Sequence, residues 1–174
     1  MSLEIEWEAR EAWNKNNCFP KVDDNFIAEL ATYGPFIEVG AGTGYMAKRL
    51  HDKGAVIQAT DLYPPTSGQN PYRWKHEHYP VKRMNAAKAV RNYPSRTVLM
   101  SWPSYGKKWA LMALHAMAPG QRLVYIGEGR HGCTANDGFF TYLSTNFSET
   151  HEILLDNFYG IHDECHIYTK NTSV

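Results

Sequence analysis

Phe36-Ile37-Glu38-Val39-Gly40-Ala41-Gly42-Thr43-Gly44-Tyr45, followed by Ile57-Gln58-Ala59-Thr60-Asp61-Leu62, reads as a strand, a glycine turn, a helix and a second strand that ends in an acid. Glycine at 40, 42 and 44 removes three β-carbons, so the turn can take positive φ and a ligand can lie against bare backbone. The amides of the following helix then point at that ligand. Asp61 stands about 20 residues beyond Gly40, the separation at which such a unit presents a carboxylate to ribose hydroxyls. The stretch therefore predicts a site for a ligand that contains a nucleoside.

A dinucleotide site uses G-x-G-x-x-G, whose third glycine lets helix and strand pack closely, and here Tyr45 stands at that position. The motif present is E-x-G-x-G-x-G with Glu38 inside the strand. It resembles the first motif of the class I S-adenosylmethionine-dependent methyltransferases. The resemblance implies that Glu38 holds the amino acid end of the cofactor. It also implies that Gly40, Ala41, Gly42 and Gly44 make room for the methionine and ribose parts, and that Asp61, beside Leu62, binds the ribose hydroxyls. Asn85-Ala86 sits where the family places an acid and a small residue against adenine, and the amide oxygen of Asn85 can take the acid's place. The chemistry agrees, because this cofactor has no pyrophosphate and carries a sulfonium and an ammonium, which suit a carboxylate.

The chain has 174 residues, 43% hydrophobic and 21% charged, which is ordinary for one soluble α/β domain and leaves no room for a second recognition domain. We expect residues 1–34 to form an N-terminal helical segment and residues 35–174 the sheet core. No apolar run approaches the roughly 20 residues of a membrane span. Met1 to Arg10 alternates acids with apolar residues rather than forming a secretion signal, so a cytoplasmic location is expected. Cys18, Cys133 and Cys165 are odd in number and far apart, which fits reduced thiols.

Net charge is zero, so long-range attraction to nucleic acid is not built into the whole molecule. The distribution is uneven. Arg73, Lys75, Lys82, Arg83, Lys88, Arg91 and Arg96 face only Glu77 within the basic segment 73–96, and residues 1–29 are rich in acids. A solvated charged face explains the basic segment more simply than a nucleic-acid groove does.

Asp23 or Asp24 can cap a helix with Phe26, Ile27, Leu30 and Ala31 at helical spacing, ended by Gly34-Pro35 and expected beside the cofactor mouth. Further expectations are a helix from Gly44 to Lys53, a strand from Ala55 to Thr60, and a long loop from Tyr63 to Tyr79 placed to hold substrate. A weak strand near Val81 to Met84, a helix from Ala86 to Asn92 and a buried strand opening at Thr97 follow. Gly106 to Met117 and Asn136 to Asn146 read as helices, Arg122 to Ile126 as the fifth strand, and His151 to Phe158 with Cys165 to Lys170 as two closing strands. The fold expected is a Rossmann-like open twisted sheet of about seven strands, mostly parallel, with a C-terminal antiparallel hairpin and helices on both faces.

Chemistry is expected at Ser101-Trp102-Pro103-Ser104-Tyr105, because the fourth strand of the resembled family delivers the residues nearest the transferred methyl, with Ser101 also on the cofactor. The run loosely resembles the D/N-P-P-Y/F motif of amino-group methylases, with Trp102 at the acid or amide position and Ser104 for the second proline. Trp102 can instead pack on adenine or shield the sulfonium, where a π face attracts a cation by roughly 0.5 to 2 kcal/mol. Positioning alone lowers a transfer barrier by about 7 to 11 kcal/mol, so a base is not obligatory. If one is used, Glu128 and Tyr105 are the candidates. His76, His78, His131, His162, Cys165 and His166 lack metal-ligand spacing, so no metal is expected. Trp7 and Trp13 are read as a helix packing on the body.

The expectation is thus an S-adenosylmethionine-dependent methyltransferase whose acceptor is a small molecule. The alternatives are a base amino-group methyltransferase of nucleic acid and a cofactor-binding regulatory protein without activity.

Overall fold

The strand that precedes the glycine turn is buried at all four positions, as a central strand must be when both faces of its sheet are covered. This is β1 (Phe36–Val39) in the computed structural model, which describes residues 3–172. Its side chains alternate between two apolar layers. Phe36 joins Phe26, Ile27 and Leu30 of α2 (Asp24–Ala31) and Met46, Ala47 and Leu50 of α3 (Tyr45–Asp52). Ile37 and Val39 face the other way, towards Ala89 and Val90 of α4 (Ala86–Asn92), Ala113 and Leu114 of α5 (Trp109–Ala116) and Phe139 of α6 (Asp137–Asn146). Burying each large side chain in these layers contributes about 1.5 to 3 kcal/mol.

β1 pairs in parallel with β2 (Ile57–Asp61) on one side and β4 (Thr97–Ser101) on the other. β3 (Val81–Arg83) lies parallel outside β2, and β5 (Arg122–Glu128) parallel outside β4. β7 (Asp163–Lys170) runs antiparallel between β5 and the edge strand β6 (Phe147–Glu152). The seven-stranded order is β3-β2-β1-β4-β5-β7-β6. The chain thus winds outward from β1 to β3, then returns to the other side of β1 at β4. That reversal opens a crevice outside the carboxyl ends of β1 and β4, where open α/β sheets bind ligands.

Local chemistry sets the helix starts. Asp23 accepts from the Phe26 amide at 2.8 Å, Asn85 from Lys88 at 2.8 Å and Asn136 from Phe139 at 2.9 Å. α1 (Leu3–Asn16) carries Glu4 and Glu6 in its first turn and Lys15 in its last, matching the helix dipole.

Four expectations need correction. The strand expected at His151 to Phe158 is β6, four residues earlier, because it is an edge strand buried only at Phe147 and so shows no apolar alternation. Of the apolar run that suggested it, Ile153 reaches the core while Leu154 is 86% exposed. α5 begins at Trp109 rather than Gly106, since Gly106 has φ +68 and donates to the Ala135 carbonyl across a turn. Trp13 packs on the α2–α3 layer as expected, but Trp7 is 58% exposed. The loop after β2 holds one 3-10 turn, Pro65–Ser67. No helix among the described residues is long and apolar enough to cross a membrane.

Candidate functional site

β1 delivers Glu38 to the crevice and β2 delivers Asp61 beside it, while the glycine turn passes between them. The turn is held in place by its neighbours. Ala41 donates its amide to the Thr60 carbonyl at 3.0 Å, and the Gly42 amide donates to Asp61 Oδ2 at 3.0 Å. Asp61 Oδ1 accepts from the Tyr63 amide at 2.8 Å. One carboxylate therefore fixes both the turn and the start of the long loop.

A cavity of about 490 Å³ opens at this point, within the roughly 300 to 1,000 Å³ of ligand pockets. Its lining includes Glu38, Gly40, Ala41, Gly42, Asp61, Leu62, Asn85, Ala86, Ser101 and Trp102 from among the expected residues. The long loop contributes Tyr63, Gln69, Asn70, Pro71, Tyr72 and Trp74, in keeping with the place expected for it.

Glu38 is only 2% exposed, and its Oε2 has no hydrogen-bond partner among the described residues. Burial, with the Asp61 carboxylate adding to it, pushes the Glu38 carboxyl up to about 8. Burial also raises Asp61, against the opposing pull of the amides it accepts from. A buried oxygen without a donor is costly unless a ligand supplies one. An ammonium group is a suitable donor, and S-adenosylmethionine carries one at its amino acid end. The residues present therefore fit that cofactor. Asp61 retains lone pairs for ribose hydroxyls beyond its two amide bonds.

Several expected residues lie elsewhere. Gly44 is absent from the cavity lining; it caps the start of α3, where a β-carbon would stand 2.7 Å from the Tyr79 carbonyl and 3.1 Å from Val81. Pro103 and Tyr105 are also off the lining, and Tyr105 is 71% exposed. Glu128 turns away from the cavity because the segment after β5 folds over it, and its Oε2 accepts from the Cys133 amide at 2.6 Å. Asn85 lines the cavity, yet its Oδ1 caps α4, so adenine would share that oxygen with the Lys88 amide. α2 is not on the lining; Asn17, Cys18 and Phe19, just before it, are.

Trp102 lines the cavity with φ +49, a left-handed value that a bulky residue rarely adopts. Its amide donates to the Ile126 carbonyl at 2.7 Å and its indole Nε1 to Asp163 Oδ1 at 2.7 Å. The ring stacks on Phe19 with centroids 5.1 Å apart, and the cation nearest its face is Arg10, at 5.9 Å.

Sequence reasoning did not single out Phe19, Trp74, Trp109 or Lys107, all of which line the cavity. A β-carbon on Gly40 would stand 2.8 Å from the Trp109 ring, and one on Gly42 would stand 2.6 Å from the Trp74 ring. The bare backbone of the turn is thus covered by two indoles, which a glycine motif alone does not announce. Trp74 Nε1 donates to the Asn14 carbonyl at 3.2 Å, tying the loop to the end of α1. His76 and His78 bind the Asn16 carbonyl through Nε2, at 2.9 and 2.6 Å, and no group of metal-ligating side chains occurs among the described residues.

No protein-family profile matches the sequence, and no curated protein matches it. Solved structures do. The N-methyltransferase NodS from Bradyrhizobium japonicum WM9, in complex with S-adenosyl-L-homocysteine, superposes with a TM-score of 0.60 at 14% identity, over 96% of this chain and 99% of that one. The fold is that of the class I methyltransferases. Magnesium protoporphyrin IX methyltransferase from Synechocystis PCC 6803, with bound S-adenosylmethionine, gives 0.55 at 11% identity over 98% of this chain and 99% of that one. An N1-methyltransferase of didemethyltoxoflavin from Burkholderia thailandensis gives 0.54 at 14% identity over 98% and 85%. The antiparallel β5-β7-β6 end of the sheet agrees with the hairpin expected from sequence.

Proposed function

We propose that the chain transfers a methyl group from S-adenosylmethionine to a small-molecule acceptor. The observation that carries this reading is the buried Glu38 carboxyl, unpartnered at Oε2, in a cavity formed over the glycine turn of a class I methyltransferase fold. The crystallised neighbours with bound S-adenosylmethionine or S-adenosyl-L-homocysteine support it.

When bound, the cofactor supplies a methyl group made electrophilic by its sulfonium. Glu38 holds the ammonium, its carboxyl ionising as it gains that partner. Asp61 accepts from the ribose hydroxyls while keeping Gly42 and Tyr63 in place. Leu62, Asn85 and Ala86 would bound the adenine, and Ser101, on the same lining, would border the reacting end. Trp102 and Phe19 exclude water there. With Glu128 turned away, catalysis rests on orientation, which contributes about 7 to 11 kcal/mol when the reacting atoms are aligned.

The test is incubation with methyl-labelled S-adenosylmethionine and, in parallel, a pool of small metabolites or a pool of nucleic acid. Label in a small molecule is expected, together with release of S-adenosyl-L-homocysteine. Cofactor binding without transfer to any pool would favour a regulatory protein, and label confined to nucleic acid would favour the base-methylating alternative.

A further inference from the structure

The cavity has two chemically different ends. Glu38 and Asp61 lie on the sheet face shared by Phe36 and Ala59, towards α2 and α3. The one basic side chain on the lining among the described residues is Lys107, in the turn leading into α5 on the opposite face. Lys107 forms no ion pair among the described residues. Its amide donates to the Ser104 carbonyl at 3.2 Å, and Ser104 Oγ lies 3.3 Å from the Tyr72 hydroxyl. Tyr72 meets Phe19 with centroids 5.1 Å apart, and Phe19 stacks on Trp102. Three rings from three segments thus converge on the lining that Lys107 shares.

The two carboxylates at the other end are matched by the cofactor's ammonium and ribose, and Lys107, on the opposite face of the sheet, stands apart from that pair. Aromatic rings bind flat π systems by stacking or edge contact, and a lysine pairs as a point charge with a carboxylate or similar anion. Resting on the methyltransferase reading above, we propose that the acceptor is a small planar aromatic molecule bearing an anionic group. Its ring sits against Phe19, Tyr72 and Trp102, and its anion pairs with Lys107. This selects against aliphatic acids, which cannot stack, and against neutral aromatics, which leave the lysine unpaired.

The experiment is calorimetric titration of the protein saturated with S-adenosyl-L-homocysteine, using three probes: naphthoate, naphthamide and cyclohexanecarboxylate. Naphthoate should bind about tenfold more tightly than either of the others, since each of those two lacks one of its favourable interactions. In Lys107→Ala, naphthoate and naphthamide should bind alike while affinity for S-adenosyl-L-homocysteine is retained. Phe19→Leu should weaken both naphthyl probes. Equal binding of the three probes, or no binding of naphthoate with S-adenosyl-L-homocysteine in place, would overturn the acceptor class and leave the cofactor reading standing. Loss of S-adenosyl-L-homocysteine affinity in Lys107→Ala would assign the lysine to the cofactor's own carboxylate and overturn the proposal in that way. Failure of the unmodified protein to take up S-adenosyl-L-homocysteine would defeat the methyltransferase reading itself.

Discussion

Glu38 keeps a carboxyl out of water with Asp61 nearby, so the folded chain binds a proton there more tightly than the unfolded chain does. Stability from this group is present in full below its ordinary value of 4.5 and is lost as the pH rises through about 8. Glu38→Gln removes that loss. The variant should be more stable than the parent above pH 8 by about 1 to 3 kcal/mol, the cost of an unsatisfied buried group. Each kcal/mol moves the midpoint of a chain this size by about 2 to 4 °C in a thermal melt. A melt that ranks Glu38→Gln below the parent at that pH would contradict the burial argument. Asp61→Ala should weaken S-adenosyl-L-homocysteine by about tenfold or more, through lost ribose bonds and through release of the Gly42 and Tyr63 amides. Titration of the variant measures it, and unchanged affinity would remove Asp61 from the site. Both acids were legible in the sequence because spacing from a glycine turn is a local property. The position of Glu128 was not, since it depends on how residues 129–134 fold back onto β5, which no local pattern encodes.

The loop after β2 forms one wall of the cavity and is tied from outside to the end of α1. Trp74 reaches Asn14, and a carbonyl oxygen can only accept, so His76 and His78 each carry a hydrogen on the Nε2 that meets Asn16. Thr43 donates its hydroxyl to the Asn17 carbonyl, joining the glycine turn to the same wall. Replacing His76 and His78 together by Ala should speed hydrogen exchange at residues 14–18 and 70–78, each missing bond removing about 0.5 to 1.5 kcal/mol. The core strands β1 and β4 should be unaffected. Uniform change across the sheet would mean that the histidines support the whole fold rather than this wall. Gly42→Ala should weaken the cofactor site more than Gly54→Ala. Both have positive φ, but only at Gly42 does a ring, Trp74, occupy the space of the new carbon. Helices and buried strands were legible because each carries its own periodicity, as in Phe26, Ile27 and Leu30. β6 was misplaced because five of its six residues face water and its order comes from pairing with β7.

Across the whole molecule, the reversal of winding at β1 and β4 decides where a ligand can sit, and net charge decides little about what that ligand is. The basic segment 73–96 spreads over the loop, β3 and α4, and its charges are mostly exposed singly. A groove that tracked a phosphate backbone would show affinity falling steeply with salt, with a slope of about −0.7 per neutralised phosphate on single strands. For this chain we expect only weak binding to a short single-stranded RNA at physiological salt in an anisotropy titration. Tight, steeply salt-dependent binding would favour the nucleic-acid acceptor. The aromatic end of the cavity was the least legible feature at this scale. Phe19, Tyr72 and Trp102 lie on separate segments, and only the assembled sheet brings them together.

The most direct measurement is calorimetric titration of S-adenosyl-L-homocysteine and of NAD into the parent and into Glu38→Gln, at several pH values between 6 and 9. S-adenosyl-L-homocysteine should bind the parent more tightly as the pH rises towards 8, since its ammonium needs the ionised Glu38 carboxylate. In Glu38→Gln the affinity should fall by about tenfold or more and lose that pH dependence, while NAD should bind neither protein. Binding of NAD alone, binding of neither ligand, or unchanged affinity in Glu38→Gln would contradict the assignment of Glu38 to the amino acid end of S-adenosylmethionine.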